Sequence, residues 1–179
     1  LDYLKLRDLT TDEEFRETAS VLTDREGALN VWIFLQAVLG IDNRGKNMYY
    51  VAKQTASGPK LYFAPWDMDI TWGDALSENE DGDSVWKVGL FTGLYSERIN
   101  WAYGELDVDG TRDYVNRTWK ELRAGVFSEE NLTERIDNLV HQVQDSGAYT
   151  RNEERWPDSN SGQNYDLFKR MAFYRFGIL

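Results

Sequence analysis

Residues 28–40 read ALNVWIFLQAVLG, with apolar side chains at Leu29, Val31, Trp32, Ile33, Phe34, Leu35, Val38 and Leu39. Most of these positions follow the three-to-four spacing of a helix, and Val31, Phe34 and Val38 widen the stripe until nearly every face is apolar. The run is shorter than the about 18–20 residues of a membrane span. It therefore predicts a buried central helix, capped at its start by Asp24 and stopped by Gly40, around which the remaining elements must pack.

The flanking sequence supplies those elements. Thr11-Asp12-Glu13-Glu14 has the pattern of a capping box, Thr followed three residues later by Glu, and predicts a helix to about Leu22. Alternation and β-formers from Asn47 to Thr55, then Ala56-Ser57-Gly58-Pro59, then Lys60 to Ala64 predict a strand, a turn and a second strand. Helices are expected from Ser96 to about Gly104, Thr111 to Gly125, Ser128 to about Asp145, and Tyr165 to Phe176. A polar loop is expected near Trp156-Pro157, and an acidic one over residues 74–83. The fold class is α+β: a mostly α-helical single domain over residues 1–179 with one β-hairpin.

Charge and composition exclude several classes of function. With 31 Asp and Glu against 20 Lys and Arg, the net charge of −11 opposes a nucleic-acid partner, which needs a concentrated basic patch. It also opposes attachment to anionic lipid, and no membrane insertion is expected. The chain has no Cys, which rules out disulfides, thiolate metal sites and thiol catalysis. Its single histidine, His141, lies at helical spacing in RIDNLVHQVQ and reads as an ordinary helix residue. The 7 Trp and 10 Tyr fit a core of large rings, or a surface on which sugars stack. Asn79–Asp83 and Asp107–Gly110 look like calcium loops only in passing, because neither has the twelve-residue ligand ladder ending in Glu.

Chemistry is concentrated in two segments. The helix ends in IDNRGKN, which sets Asp42 and Asn47 in the spacing D-x-x-x-x-N, and the hairpin ends in Pro65-Trp66-Asp67-Met68-Asp69. The order of buried helix, loop, hairpin and acidic segment is that of a kinase catalytic loop followed by its metal-binding segment. Phosphoryl transfer depends on positioning and on neutralising charge, so carboxylates must gather about a Mg²⁺ near the nucleophile. A hairpin returns the second acidic segment to the first. Asp67 and Asp69, read as positions i and i+2 of a strand, are expected to face the same way. The bland reading makes Asp42 and Asn43 turn formers at a helix end.

The run DNRGKNMYYVAKQTASGPKLYFAPWDMDITWGD resembles the core of the CotH kinase family, spore-coat and surface-protein kinases of atypical fold. The likeness rests on Asp42, Lys46, Asn47 and the aromatic strand start Met48-Tyr49-Tyr50, and on Pro65-Trp66-Asp67, Asp69 and Gly73 after the hairpin. The C-terminal run FKRMAFYRF agrees loosely with the Arg-containing final helix of that family. The resemblance implies a protein-kinase-like C-terminal lobe that uses ATP with Mg²⁺ or Mn²⁺.

On that basis Asp42 would orient and deprotonate the substrate hydroxyl. Asn47 with Asp67 or Asp69 would hold the metal, and Lys46 would pair with phosphate or with Asp42. Trp66 and Trp72 would pack around the site, and Gly73 would turn the backbone after the acids. No Gly-rich loop precedes Asp42. A nucleotide-covering N-terminal lobe is therefore expected to lie outside these residues, leaving this piece inactive by itself.

The implied partner is a secreted or surface protein carrying Ser or Thr, in a bacterial spore coat or at a cell surface. The alternative is a non-catalytic spore-coat or surface module whose aromatic rings contact polysaccharide or protein. A glycoside hydrolase with Asp67 and Asp69 as its acid pair fits poorly, because neighbouring same-face carboxylates sit too near to straddle a glycosidic bond.

Overall fold

A computed structural model describes residues 12–40, 43, 46–69, 71–72, 110–157 and 165–178. Helix α1 (Asp12–Leu22) forms where the capping pattern predicts it, and helix α2 (Arg25–Val38) where the apolar spacing does. Asp24 has the extended backbone of an N-cap, but its side chain makes no capping bond. Its N–H instead donates to the Leu61 carbonyl at 3.1 Å, and Thr23 forms a parallel bridge with Leu61. The linker between the helices thus serves as a one-bridge strand beside the hairpin.

Ala28, Leu29, Ile33, Leu35, Gln36, Ala37 and Val38 of α2 are buried. Glu26, Asn30 and Phe34 are exposed. These three lie on one i, i+4 row, so a single stripe of the helix reaches solvent and the expectation of burial on nearly every face is corrected. The apolar Phe34 stands in that stripe, which is why the sequence overstated the burial.

The end of α2 also differs from expectation. Leu39, not Gly40, takes the left-handed conformation, with φ 54° and ψ 46°. The Gly40 N–H donates to the Leu35 carbonyl at 2.9 Å and the Leu39 N–H to Gln36 at 3.4 Å, the pair of bonds that makes a Schellman motif. A left-handed Leu costs roughly 1–3 kcal/mol, offset here by burial of the side chain. Glycine at position 40 answers a different need. A Cβ there would stand 2.7 Å from Leu35 Cδ2, 3.3 Å from Asn43 Oδ1 and 3.5 Å from Met68 Cε. A side chain there would have to displace the tip of Leu35, which is itself fully buried.

Strands β1 (Met48–Thr55) and β2 (Gly58–Pro65) pair antiparallel in register from Met48↔Pro65 to Thr55↔Gly58. The connection is the two-residue turn Ala56-Ser57, shorter than expected, with Gly58 at φ 110° and Thr55 Oγ1 donating to the Gly58 carbonyl at 2.6 Å. Leu61 and Phe63 alternate into the core from β2, which packs on α1 and α2, while β1 stays largely exposed. Alternation of this kind fixes register, because a slip by one residue would turn Leu61 and Phe63 outward.

Four helices make up the rest: α3 (Thr111–Ala124), α4 (Glu129–Asp145), α5 (Ala148–Arg155) and α6 (Tyr165–Ile178). Ser128 caps α4, its Oγ accepting from the Asn131 N–H at 3.2 Å. Helix α5 was not expected, since AYTRNEER buries nothing and carries no apolar stripe; Gly147 at φ 65° starts it. The expected helix over 96–104 and the acidic loop over 74–83 lie outside the described residues. The result is the mostly helical α+β plan with one antiparallel hairpin. Among the described residues no helix is long and apolar enough to cross a membrane.

The helical half converges on the end of α6. Phe176 stacks on Phe127 with centroids 5.3 Å apart, meets Trp119 and Trp72 edge-on at 5.6 and 5.7 Å, and lies under the Arg123 guanidinium at 5.3 Å. Its neighbour Arg175 is only 1% exposed and donates from Nε to the Gln36 carbonyl at 3.0 Å. Burial holds this guanidinium below its ordinary pKa, and the negative end of the α2 dipole offsets part of that desolvation.

Two substitutions test this packing by urea denaturation followed through tryptophan fluorescence. Phe176→Ala is expected to remove about 3–5 kcal/mol, because four ring contacts are lost around a cavity that cannot close. Gly40→Ala is expected to remove about 1–3 kcal/mol by overpacking. A Gly40→Ala protein as stable as the parent would show that the chain does not pass so close at this point.

Candidate functional site

The hairpin performs the return that the sequence order requires. Because Met48 pairs with Pro65, the residues just outside the ladder, Asn47 and Trp66, face one another. The Trp66 N–H donates to the Asn47 carbonyl at 2.9 Å, extending the ladder by one bond into the site. Asn47 and Asp67 then both leave the extended conformation, with φ 56° and 53°. Non-glycine residues at positive φ are uncommon and cost roughly 1–3 kcal/mol each. Among the described residues four non-glycines do so, Leu39, Asn47, Asp67 and Trp72, and they bracket the two candidate segments.

Asn43, which the sequence reading left as a turn former, occupies the centre. It is 0% exposed, and its Nδ2 donates to the Asn47 carbonyl at 2.8 Å and to the Trp66 carbonyl at 2.7 Å. Its N–H donates to the Gly40 carbonyl at 3.2 Å, tying it to the end of α2. Further along, the Trp72 N–H donates to the Val38 carbonyl at 2.6 Å, and Thr71 Oγ1 donates to the Met68 carbonyl at 2.8 Å. The acidic segment is therefore held at both ends, by Asn43 and Asn47 at Trp66 and by the last turn of α2 at Trp72.

The residues expected to do chemistry are placed as follows. Lys46, Asp67 and Asp69 are exposed, and Asn47 is half-buried. Asp42 and Gly73 lie outside the described residues. Asp67 and Asp69 do not stand on a strand: β2 ends at Pro65, and Asp67 is left-handed. Residues i and i+2 share a face only in extended backbone, which ends before these two. Trp66 departs from expectation as well. It is 57% exposed and touches Tyr49 edge-on at 5.7 Å, so it is not packed beneath the site. Trp72 does pack, edge-on to Phe168 at 5.5 Å and to Phe176.

Asn47, Asp67 and Asp69 offer hard oxygen donors. That set fits Mg²⁺, which is commonly held by one or two carboxylates with waters and substrate phosphates in the remaining positions. Among the described residues no group of three or more His, Cys, Asp or Glu is gathered to hold a metal ion.

Sequence reasoning missed Asn43 and Arg175. Nothing in the sequence separates Asn43 from any Asx at a helix end. Arg175 carried a weak signal, a cation set within the apolar run Met171, Ala172, Phe173 and Phe176, one turn beyond Lys169 and Arg170.

Searches of curated proteins and of solved structures returned no match. The family model described as CotH kinase protein matches residues 2–170, a span that includes both candidate segments, the hairpin and the start of the final helix. The chain belongs to the CotH kinase family.

Proposed function

We propose that this chain forms the catalytic lobe of a protein kinase that transfers the γ-phosphoryl group of ATP to Ser or Thr hydroxyls, with Mg²⁺ or Mn²⁺ as cofactor. One observation carries the reading within a kinase family. The D-x-x-x-x-N loop and the W-D-x-D segment are joined by the bond from the Trp66 N–H to the Asn47 carbonyl. The substrate hydroxyl oxygen attacks the γ-phosphorus, the bond to the bridging oxygen breaks, ADP leaves, and the hydroxyl proton passes to Asp42. Asn47, Asp67 and Asp69 hold the metal, which supplies charge neutralisation at the phosphates. Lys46 pairs with a phosphate oxygen as a point charge. The acceptor is a secreted or surface protein, and the setting is a bacterial spore coat or cell surface, in keeping with the family.

A second reading has its own support. Tyr49 and Trp66 are exposed and touch edge-on at 5.7 Å beside the open end of the hairpin, with Tyr49 55% accessible. Aromatic faces presented in this way suit a non-catalytic module that contacts polysaccharide or a protein partner.

The two readings separate in the full-length protein. Calorimetric titration with ATP should show binding that requires Mg²⁺ and is lost in Asp69→Ala. Transfer to protein substrate should fall by about a hundredfold or more in Asp42→Ala and in Asp69→Ala, the scale of losing several kcal/mol of charge stabilisation. Circular dichroism should be unchanged. Wild-type transfer rates in both variants would sink the kinase reading. Trp66→Ala is expected to leave ATP binding intact; loss of polysaccharide binding in that variant, with no nucleotide binding in the parent, would instead favour the module.

A further inference from the structure

We infer that Asn43 is a positioning residue for the metal, fixing the distance between the Asn47 loop and the Asp67–Asp69 segment. The inference rests on the kinase reading above and adds to it a residue that contacts neither metal nor nucleotide. The chemistry of the contact settles the orientation of the amide. Nδ2 faces two carbonyl oxygens, those of Asn47 and Trp66, at 2.8 and 2.7 Å. With the amide turned over, Oδ1 would face both acceptors and neither bond could form. The two carbonyls therefore demand two N–H donors from one short side chain. Asp offers none at neutral pH, Ser offers one, and Gln is longer by a methylene at a position that is 0% exposed.

Asn43 Oδ1 is buried without a hydrogen-bond partner, and a Cβ at Gly40 would stand 3.3 Å from it, so the glycine leaves this end of the amide uncrowded and unpaired. An unpartnered buried carbonyl oxygen is unfavourable by itself. It is retained because the other end of the same amide makes both bonds. The Asn47 carbonyl accepts from Asn43 Nδ2 and from the Trp66 N–H, so three hydrogen bonds close a small ring of backbone and side chain. One residue of that ring is a candidate ligand, Asn47, and another, Trp66, directly precedes a second, Asp67. Both candidate ligands are at positive φ. A backbone held there tends to relax when its hydrogen-bonded frame is removed, and relaxation on either side would spread the oxygen donors apart. Groups that orient metal ligands without touching the metal typically change metal affinity by about 10–100-fold when removed.

The test uses the full-length protein and three variants: Asn43→Ala, Asn43→Ser and Asp69→Ala. Mg²⁺ is titrated at fixed ATP by calorimetry, at a temperature where circular dichroism shows each variant folded, with thermal melts run in parallel. The expected result is a Mg²⁺ midpoint raised by about tenfold or more in Asn43→Ala and by less in Asn43→Ser, which keeps one donor. In transfer assays the same variants should regain rate at high Mg²⁺, whereas Asp69→Ala should not. Folded variants with the wild-type Mg²⁺ midpoint and a lowered melting temperature alone would overturn the inference and leave Asn43 a purely structural residue. So would failure of both Asn43 variants to fold. Absence of Mg²⁺-dependent ATP binding in the parent protein is a distinct outcome; it removes the kinase reading and this inference together.

Discussion

The last turn of α2 is held from three directions, and the rest of the molecule is arranged by how its carbonyls are satisfied. A helix leaves its final C=O groups without intrahelical partners, and inside a protein each such group left unpaired costs roughly 1–3 kcal/mol. Here the Leu35 carbonyl accepts from Gly40, Gln36 from Arg175, and Val38 from Trp72. The first donor comes from the helix's own reversal, the second from α6, and the third from the end of the acidic segment. The C-terminal helix, the buried helix and the candidate site are thereby fixed to one another at a single point. Phe176, next to Arg175, extends that point into an aromatic cluster with Trp72, Trp119 and Phe127.

The hairpin transmits this order to the site through its register. Trp66 meets Asn47 only because Met48 pairs with Pro65, and that pairing is set at the far end by the two-residue turn and along its length by Leu61 and Phe63. The turn is remote from every candidate ligand, yet it decides which residues face each other there. On its other edge β2 is pinned through Leu61 to Thr23 and Asp24, so the strand cannot drift away from α2.

What could be read from the sequence follows from the range of the forces involved. The helices with apolar stripes and the hairpin were legible because their periodicity is a local record of burial, and the order of loop, hairpin and acids was legible because spacing alone specifies it. Helix α5 was not, since a helix without buried residues leaves no periodic trace. Asp67 and Asp69 were misread because the strand rule was carried two residues beyond the last ladder pair. Gly40 was legible as the stop of the helix, since glycine ends helices readily. In the structure the left-handed residue is the buried Leu39, and a side chain at position 40 would have to displace the tip of Leu35. Asn43 depends on two carbonyls brought together by tertiary pairing, which no window of sequence contains.

The four left-handed residues also bear on how the molecule opens. At roughly 1–3 kcal/mol each, their combined strain is comparable with the 5–15 kcal/mol of net stability usual for a whole domain. That load falls on a few short segments, and within the aromatic cluster around Phe176 only Trp72, at the end of the acidic segment, carries any of it. Opening should therefore begin at the loop and the acidic segment, as a local excursion that leaves the helical cluster closed, and amide hydrogens there should exchange well before those of α2 and α6. The candidate site would be less protected than the helical cluster to which it is anchored.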